Sequence, residues 1–529
     1  MLVTLITLAA ASLLAVLTFP QLIRYCGRQV GKHVRSKTEQ KRSLMLSRAA
    51  AEEAENTDKT PGSRPVDSPD RDWEGIVGFF HPFCNAGGGG ERVLWAAIRA
   101  TQERYPKAVC VVYTGDHDVD EDAIISNVKN RFNIPLHAPR ITFLYLSTRD
   151  FLLASRWPHF TLLGQSIGSL IVAWDAFHLM APDIFIDTMG YAFTLAFSTF
   201  LFPHVPTGAY VHYPTISTDM LSSLDDERGR GVNAGLGQGW KGTVKRNYWN
   251  LFAKLYSWIG GEIDVVMTNS TWTQNHIRSL WAPTRQKRKW TPGTFVVFPP
   301  VAVEELEQAI EVSEESEKSR KKNLLYIAQF RPEKDHQNII IAFAKLLRTH
   351  PEYKSATGPR LVLVGSVRDE KDKMLVYKLR VLAQEHHVSE QVDFVINAKW
   401  SQILDALRTS WVGVNGMWNE HFGIGVVEYQ AAGLISVVDD SGGPKIDIVV
   451  PIDGQRTGFH ARSADEFADG YHRALSLPES DTLAMRKRAR QSAKRFSEEV
   501  FRDSWNTHMD KLIRLQRTKR SERPRLGLP

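Results

Sequence analysis

The sequence predicts an α/β fold built from two doubly wound parallel sheets in series. Short apolar runs typical of buried strands alternate with helical segments twice along the chain, over residues 73–300 and again over residues 323–480. A charged block at residues 301–322 lacks this pattern and separates the two regions. A chain of 529 residues also exceeds what a single core usually accommodates, which favours two large domains.

Composition and charge limit the class of protein and of partner. Apolar residues make up 43% of the chain and charged residues 24%, proportions that exclude wholesale disorder. The net charge of +7 is a mild excess for this length, so it argues against a nucleic acid partner and suits anionic lipid or phosphorylated small molecules better. The three cysteines have no metal-ligand spacing, which predicts a reducing compartment and no structural disulfide.

The N-terminus predicts a transmembrane anchor at residues 1–20. The segment before Pro20 carries no charge, is long enough to span a bilayer as a helix, and is followed by a cluster of basic residues. A cleaved signal peptide is the alternative, but no basic region precedes the apolar run and no small-residue cleavage site follows it. Because basic flanks stay on the cytosolic side, the rest of the chain is expected in the cytosol.

Three further segments have compositions of their own. Residues 21–72 contain little apolar surface and predict a basic juxtamembrane tether that is partly helical. The block at residues 301–322 predicts a solvated, charged linker or a surface insertion. Residues 481–529 predict a basic helix and tail that either pack across both domains or lie at the membrane. The apolar run at residues 190–202 is short for a span, so a core helix is favoured over an interfacial membrane segment.

A glycine-rich loop, "FCNAGGGGERVLWAA", follows the first predicted strand and opens a helix. Gly87–Gly90 therefore lie where backbone N–H groups and the positive end of a helix dipole converge, an arrangement that favours phosphate. The pattern is neither GxGxxG nor a P-loop, so a loop that only permits tight strand–helix packing is the alternative.

The stretch "NEHFGIGVVEYQAAG" repeats this architecture in the second region. Glu420 lies in a loop after a predicted strand, Gly423 and Gly425 bracket a turn, and Glu428 falls about one turn into the following helix. Carboxylates repel phosphate but accept hydrogen bonds from neighbouring hydroxyl groups. The combination predicts a ligand that carries both a diphosphate and sugars.

The spacing of the two glutamates resembles the E-x7-E signature of retaining glycosyltransferases of family 4, whose members have two Rossmann-like domains in the GT-B arrangement. The segment "AQFRPEKDH" is similar to the family's phosphate-binding segment, with Lys334 matching the lysine that neutralises the donor diphosphate. The family's usual arginine would fall at Gln329, whereas this chain has Arg331 two positions later. Which of these two residues replaces the arginine stays open.

Several motifs taken together, "HPFCNAGGGGERVLW", "YVHYPTIS", "TNSTWT" and "VFPPV", resemble the α-1,2-mannosyltransferases of dolichol-linked oligosaccharide assembly. The resemblance implies a GDP-mannose donor and, as acceptor, dolichol-diphosphate-linked Man3GlcNAc2 and then Man4GlcNAc2, for protein N-glycosylation. It also implies a reaction without a metal cofactor, on the cytosolic face of the endoplasmic reticulum membrane, with other mannosyltransferases of the pathway as partners. The first domain would bind the acceptor and the second the donor. The alternatives are another family 4 enzyme of the lipid-linked oligosaccharide pathway, or a non-catalytic membrane-tethered scaffold that binds a nucleotide sugar.

The resemblance assigns roles to individual residues. It implies catalytic roles for Glu420, His212, Lys334 and Arg331, donor binding by Glu428, Gly423, Ile424, Gly425 and Gln329, and a diphosphate or acceptor loop at Gly87, Gly88, Gly89 and Gly90. His81, just before the glycine loop, is a weaker candidate. No residue is evident as a nucleophile, so front-face attack within an ion pair is favoured over a covalent intermediate.

Overall fold

The fold is given by a computed structural model. It describes residues 2–55, 70–224, 239–287, 293–355 and 357–521, without the side chains of residues 2–19 and 222–223.

The first domain is a parallel sheet covered by helices on both faces. In the described part of the chain its seven strands have the order β3-β2-β1-β4-β5-β6-β7. The strands are β1 (Ile76–Phe80), β2 (Val109–Thr114), β3 (Ile141–Tyr145), β4 (Ile184–Asp187), β5 (Thr207–Val211), β6 (Val265–Thr268) and β7 (Thr294–Val296). The helices are α1 (Leu2–Glu55), α2 (Gly89–Arg104), α3 (Glu121–Phe132), α4 (Thr161–Leu179), α5 (Ala192–Leu201), α6 (Thr218–Ser223), α7 (Gly239–Gly260) and α8 (Thr271–Arg285).

The second domain repeats this plan. Its six strands, again among the described residues, have the order β10-β9-β8-β11-β12-β13. The strands are β8 (Leu324–Ile327), β9 (Leu361–Gly365), β10 (Val392–Ile396), β11 (Val412–Asn415), β12 (Ile435–Asp439) and β13 (Gly458–Ala461). The helices are α9 (Val303–Ala309), α10 (Glu314–Glu317), α11 (His336–Thr349), α12 (Glu370–Glu385), α13 (Trp400–Thr409), α14 (Ile424–Ala431), α15 (Ala464–Leu475), α16 (Glu479–Ala493) and α17 (Glu498–Ser521).

Both sheets confirm the predicted doubly wound architecture. The strand order reverses between β1 and β4 in the first sheet and between β8 and β11 in the second. Loops at the carboxyl ends of strands beside such a reversal form the usual ligand crevice of α/β proteins. The glycine-rich loop follows β1 and the loop of Glu420 follows β11, so topology alone brings both predicted loops to a crevice.

The segment predicted as a tether is, as far as Glu55, the continuation of α1, and it packs on the first domain. Val34 and Ala49 are buried in that domain's core. Arg35 and Arg42 both bind Asp183, with Nη2-to-carboxylate distances of 2.8 and 2.7 Å. This largely polar part of α1 is thus held on the domain by a few buried apolar side chains and by the buried Asp183 carboxylate. The composition of the segment does not indicate such contacts. The rest of the predicted tether up to residue 69 lies outside the described residues.

The predicted membrane anchor lies at the start of α1. The backbone is helical from Leu2, but the side chains are described only from Pro20 onwards. Within the described part of the chain, no helix combines the length and the apolar character needed to cross a membrane. The anchor at residues 1–20 therefore stays a prediction.

The block at residues 301–322 differs from the predicted solvated linker. Val303 and Leu306 of α9 are buried in the second domain. Arg320 is buried as well, and its guanidinium donates to the carbonyl oxygens of Ser410 and Ala432 at 2.9 and 2.7 Å. The charged block therefore packs on the second domain. Its apolar residues and Arg320 contact residues that lie far away in the sequence.

The C-terminal helices pack across both domains, which is one of the two predicted alternatives. Helix α16 packs against α14 of the second domain, whereas α17 packs against α2 of the first. Trp505 of α17 is buried there and donates from Nε1 to Thr101 Oγ1 at 3.0 Å. The chain therefore crosses between the domains twice, and the crossings lie side by side, since the N–H of Val301 donates to the carbonyl of Phe496 at 3.0 Å.

The apolar run at residues 190–202 contains α5, a core helix. Its side chains Phe193, Leu195 and Leu201 are buried between the sheet and the neighbouring helices. This agrees with the core helix that its short length predicted.

Candidate active site

The second domain contributes an ion pair at the centre of the crevice. The chain leaves β8 through a short 3-10 turn that ends at Lys334, while Glu420 lies in the loop after β11. Lys334 Nζ donates to Glu420 Oε2 at 2.5 Å, and the two side chains are 21% and 14% exposed. Burial raises the pKa of Glu420, but Lys334 and His421 more than offset this and leave its pKa below the usual value. Glu420 is therefore ionised beside a fixed cation.

The N-terminus of α14 lies next to this pair. Gly423 precedes the helix with a φ of 105°, a left-handed conformation that favours glycine. The N–H of Gly443, in the segment after β12, donates to the carbonyl of Glu420 at 2.8 Å and fixes the Glu420 loop to that segment. The first N–H groups of a helix have no partner within it, so Ile424 and Gly425 present donors and a positive dipole end to the crevice.

The first domain contributes the glycine-rich loop, which is partly capped by the chain itself. The N–H of Gly88 donates to Glu91 Oε2 at 2.7 Å, so a carboxylate already occupies part of the predicted phosphate cradle. Gly89 and Gly90 reach the crevice. A Cβ atom at Gly89 would lie 2.7 Å from Ile424 Cδ1 of the other domain, so the missing side chain permits close approach of the two halves.

Two histidines converge on Thr188, in the loop after β4. His212 Nε2 lies 3.0 Å from the Thr188 carbonyl oxygen, and His81 Nδ1 lies 2.7 Å from Thr188 Oγ1. Because a carbonyl only accepts, His212 carries its proton on Nε2. Burial lowers the pKa of His212 to about 4 and that of His81 to about 3, so both rings are neutral at physiological pH.

A cavity of about 280 Å³ joins the two halves. It brings together eight of the predicted site residues within the described part of the chain: Gly89, Gly90, His212, Lys334, Glu420, Gly423, Ile424 and Gly425. This volume lies just below the usual range of ligand pockets, about 300–1,000 Å³.

Five predicted residues are not among the described residues that line this cavity: Gly87, Gly88, Gln329, Arg331 and Glu428. Arg331 lies one short turn away, one-third exposed, with Nη1 3.6 Å from Glu333 Oε1. This is a surface ion pair, and it leaves the guanidinium outside the cavity.

Glu428 lies one turn into α14. Burial raises the pKa of Glu428 to about 7, and Arg92 of α2 opposes this shift. Arg92 forms an ion pair with Glu498 at the start of α17. Arg92 of α2 therefore interacts with Glu428 of α14 and with Glu498 of α17.

His421 was not among the residues predicted from the sequence. It packs against two aromatic rings of the first domain. Its ring centroid is 4.2 Å from that of Tyr213 and 5.2 Å from that of Trp272. Burial lowers the pKa of His421 to about 4 despite the neighbouring Glu420. Its position beside Glu420 in the motif was the available signal.

Two further contacts join the domains at the rim of the crevice. Asn419 Nδ2 donates to Asp219 Oδ2 at 2.7 Å, and the N–H of Thr271 donates to Asp447 Oδ2 at 2.9 Å. The structure is therefore a closed arrangement.

Two other features of the described residues lie apart from this crevice. A larger groove of about 840 Å³ runs along α2 and α17 and contains none of the predicted site residues. His350, Glu352 and His472 place ligand atoms within 4.8 Å of one another. The two imidazole rings stack with centroids 3.7 Å apart at 7°, so their in-plane lone pairs point along parallel planes and do not meet at one ion.

Known proteins resemble this chain over most of its length. The ALG11 mannosyltransferase N-terminus matches residues 74–281, and glycosyl transferases group 1 matches residues 307–496. A Neurospora crassa relative, named GDP-Man:Man(3)GlcNAc(2)-PP-Dol alpha-1,2-mannosyltransferase, is 58% identical and covers 95% of each chain. The Mus musculus protein of the same name is 45% identical over 83% of this chain and 87% of its own. This chain belongs to that mannosyltransferase family.

Solved structures share the fold of this family member at low identity. Anabaena HepE in complex with UDP and glucose has a TM-score of 0.54 and 14% identity, over 82% of this chain and 99% of its own. The N-terminal domain of Candida albicans trehalose-6-phosphate phosphatase has a TM-score of 0.60 and 12% identity, over 84% and 99%. They support the GT-B-like arrangement of two Rossmann-like sheets.

Proposed function

We propose that the chain transfers mannose from GDP-mannose, with retention and in α-1,2 linkage, to dolichol-diphosphate-linked Man3GlcNAc2 and then to Man4GlcNAc2. The product is the Man5GlcNAc2 lipid used in protein N-glycosylation. Family membership supports the reaction, since relatives at 43–58% identity carry the name of this mannosyltransferase.

The observation that carries the proposal is the Lys334–Glu420 pair, which faces the glycine loop across the crevice. A diphosphate placed over the start of α14 meets N–H donors, a positive dipole end and the Lys334 ammonium group. Negative charge develops on that diphosphate as the sugar leaves, and fixed positive groups stabilise it. Glu420, freed from part of its ion pair, accepts hydrogen bonds from the donor sugar.

The remaining donor contacts follow from position. Glu428, one turn further along α14, accepts hydrogen bonds from the ribose hydroxyls. Arg331 is exposed enough to leave Glu333 and supply a second cation, whereas Gln329 carries no charge. Neutral His212 takes part by hydrogen bonding and not as a cation.

The reaction proceeds by front-face attack. The bond between the mannose anomeric carbon and the phosphate oxygen breaks while the acceptor hydroxyl oxygen bonds to the same face of that carbon. The acceptor proton passes to the leaving phosphate oxygen. The protein supplies position and charge compensation, which need no metal.

The cellular setting rests on the sequence. Residues 1–20 anchor the chain in the endoplasmic reticulum membrane and leave both domains on the cytosolic face, beside the lipid-linked acceptor and the other mannosyltransferases of the pathway.

An acceptor panel tests the proposal. Purified full-length protein is assayed with GDP-mannose and with UDP-sugars against dolichol-diphosphate acceptors that carry two, three or four mannoses. We expect transfer from GDP-mannose to the acceptors with three and four mannoses. Transfer only to the two-mannose acceptor indicates an earlier enzyme of the pathway, and GDP-mannose binding without transfer to any acceptor indicates a scaffold.

A further inference from the structure

Helix α7 has an apolar face where a helix on a protein surface is normally polar. Trp240, Val244, Leu251 and Trp258 lie on one side of the helix and are 74%, 53%, 69% and 53% exposed. The opposite side is anchored in the first domain by other residues, among them the buried Trp249. Large apolar side chains exposed in a row mark an interaction surface.

The same helix has a one-sided charge. It contains Lys241, Lys245, Arg246 and Lys254 and no acidic residue. Lys241 and Lys254 are exposed next to the apolar row. Tryptophan and leucine on one side with lysine at the flanks is the composition of a helix that lies in the interface of an anionic bilayer.

Helix α4 extends the apolar face. Its exposed side chains include Leu163, Ile167 and Trp174, at 36%, 44% and 38%. The two helices are joined, because the N–H of Leu163 donates to Tyr248 Oη of α7 at 3.0 Å. One exposed apolar surface therefore covers parts of two helices.

This surface continues to the point where α1 leaves the domain. Trp174 contacts Phe197 of α5 at a ring-centroid distance of 6.3 Å. Phe200, one turn later, packs so closely on Gly27 of α1 that a Cβ atom there would lie 2.3 Å away. Just before Gly27, Tyr25 is 60% exposed, and the uncharged first segment of the chain precedes it.

We propose that the exposed faces of α4 and α7 rest on an anionic lipid bilayer at the depth of its headgroups, as a second membrane contact besides the N-terminal anchor. A bilayer fits better than a protein partner because tryptophans and lysines are mixed along one continuous surface that ends at the predicted anchor. The proposal does not depend on the proposed reaction.

The geometry also orients the molecule. The chain runs from His212 at the end of β5 through α6 towards α7, so the membrane-facing surface belongs to the first domain. Together with the proposed function, this orientation lets a lipid-linked acceptor approach from the side on which its lipid is held.

A fluorescence experiment on the full chain tests the contact. Leu251→Cys is labelled with an environment-sensitive dye in a Cys26→Ser background, since Cys26 is exposed while Cys84 and Cys110 are buried. Tyr377→Cys on α12 of the second domain, 65% exposed, is the matched control. The protein is reconstituted into phosphatidylcholine vesicles with and without phosphatidylserine, and with brominated lipids as quenchers.

We expect a blue shift and strong bromolipid quenching at position 251, greater with phosphatidylserine, and neither at position 377. Lys241→Gln/Lys254→Gln should reduce the phosphatidylserine-dependent part of the quenching at position 251, because each lysine strengthens the contact with the anionic surface by about fivefold. The control Lys371→Gln/Lys378→Gln, at two exposed lysines of α12, should leave the quenching at position 251 unchanged. Equal quenching at 251 and 377, or no quenching at 251, overturns the proposal. A blue shift at 251 without vesicles also overturns it, because a second copy of the chain then covers the surface.

Discussion

The two halves of the crevice differ in charge. The half formed by the second domain, which is the donor side in the proposed function, carries an ion pair, a free helix N-terminus and a glutamate with a pKa raised to about 7. The half formed by the first domain, the proposed acceptor side, presents neutral histidines and a glycine loop whose own glutamate caps it. Fixed charge is therefore concentrated on the half where the proposed function places the leaving diphosphate. The facing half contributes shape and hydrogen bonds, so mutations on the two sides should produce different kinetic signatures.

The largest expected effect is on the donor side, from Glu420→Gln. Losing the negative charge removes the ionic partner of Lys334 and leaves only a neutral amide oxygen as acceptor for the donor sugar, so kcat should fall by about 10²–10³-fold while GDP binding changes little. Steady-state kinetics and calorimetry with GDP measure the two quantities. Glu370→Gln, an exposed glutamate of the same domain, is the control and should match the wild type.

Glu428→Gln should chiefly weaken GDP binding, by about tenfold or more, because a charge-assisted hydrogen bond to ribose is lost. In the wild type, GDP affinity should rise with pH and level off above about 7, since burial raises the pKa of Glu428 to about 7 and the ionised form accepts better. The variant should lack this pH dependence.

Folding stability should respond to the same group with the opposite sign. A carboxyl whose pKa is raised in the folded state holds its proton more tightly there than in the unfolded chain. Its contribution to the free energy of unfolding therefore decreases as pH rises from its ordinary pKa of 4.5 to about 7. Thermal melts of wild type and Glu428→Gln across this range measure it, and parallel melts would contradict the assignment.

On the acceptor side, Gly89→Ala tests shape alone. The new Cβ atom would lie 2.7 Å from Ile424 Cδ1, the flexible end of that side chain, so Ile424 must move on closure and kcat/KM should fall by about threefold. Adding Ile424→Val should restore part of the loss. Gly90→Ala is the matched control, because its Cβ atom has His212 Nε2 as nearest neighbour at 3.8 Å. Equal losses for both alanines would indicate that the loop, and not the domain contact, matters.

The smallest effect is expected at the rim. Asp219→Ala removes the acceptor of the Asn419 hydrogen bond and should raise KM for GDP-mannose about two- to threefold by favouring the open arrangement. Asp219→Asn keeps an acceptor oxygen and should stay close to wild type. Small-angle scattering with and without GDP measures the opening, and identical KM values for both variants would show that this contact does not hold the domains together.

The strands and the glycine loops were predicted well because their signals lie in neighbouring residues of the sequence. Strands buried on both faces are continuous apolar runs, and glycine turns after strands mark the reversal points of the sheets. Lys334 and Glu420 therefore lie in loops that line the cavity, whereas Glu428 lies in α14 and does not line it. What the sequence missed depends on contacts between distant segments. His421 had only its position beside Glu420 as a local signal, whereas its stacking on Trp272 and the docking of α1 on Asp183 depend on residues far away in the sequence. The hydrogen bond from the Gly88 N–H to Glu91 could have been predicted, because Glu91 follows Gly88 by three positions, the spacing of a capping box.

The path of α17 also constrains biosynthesis. Phe501, Trp505 and Leu512 complete the hydrophobic core of the first domain although the whole second domain precedes them in the chain. While the second domain is emerging from the ribosome, the nascent first domain lacks these side chains, and Phe79 lacks Trp505 as its stacking partner. The first domain is therefore complete only after α17 has been translated, and an earlier nascent chain should be recognised by chaperones as unfinished.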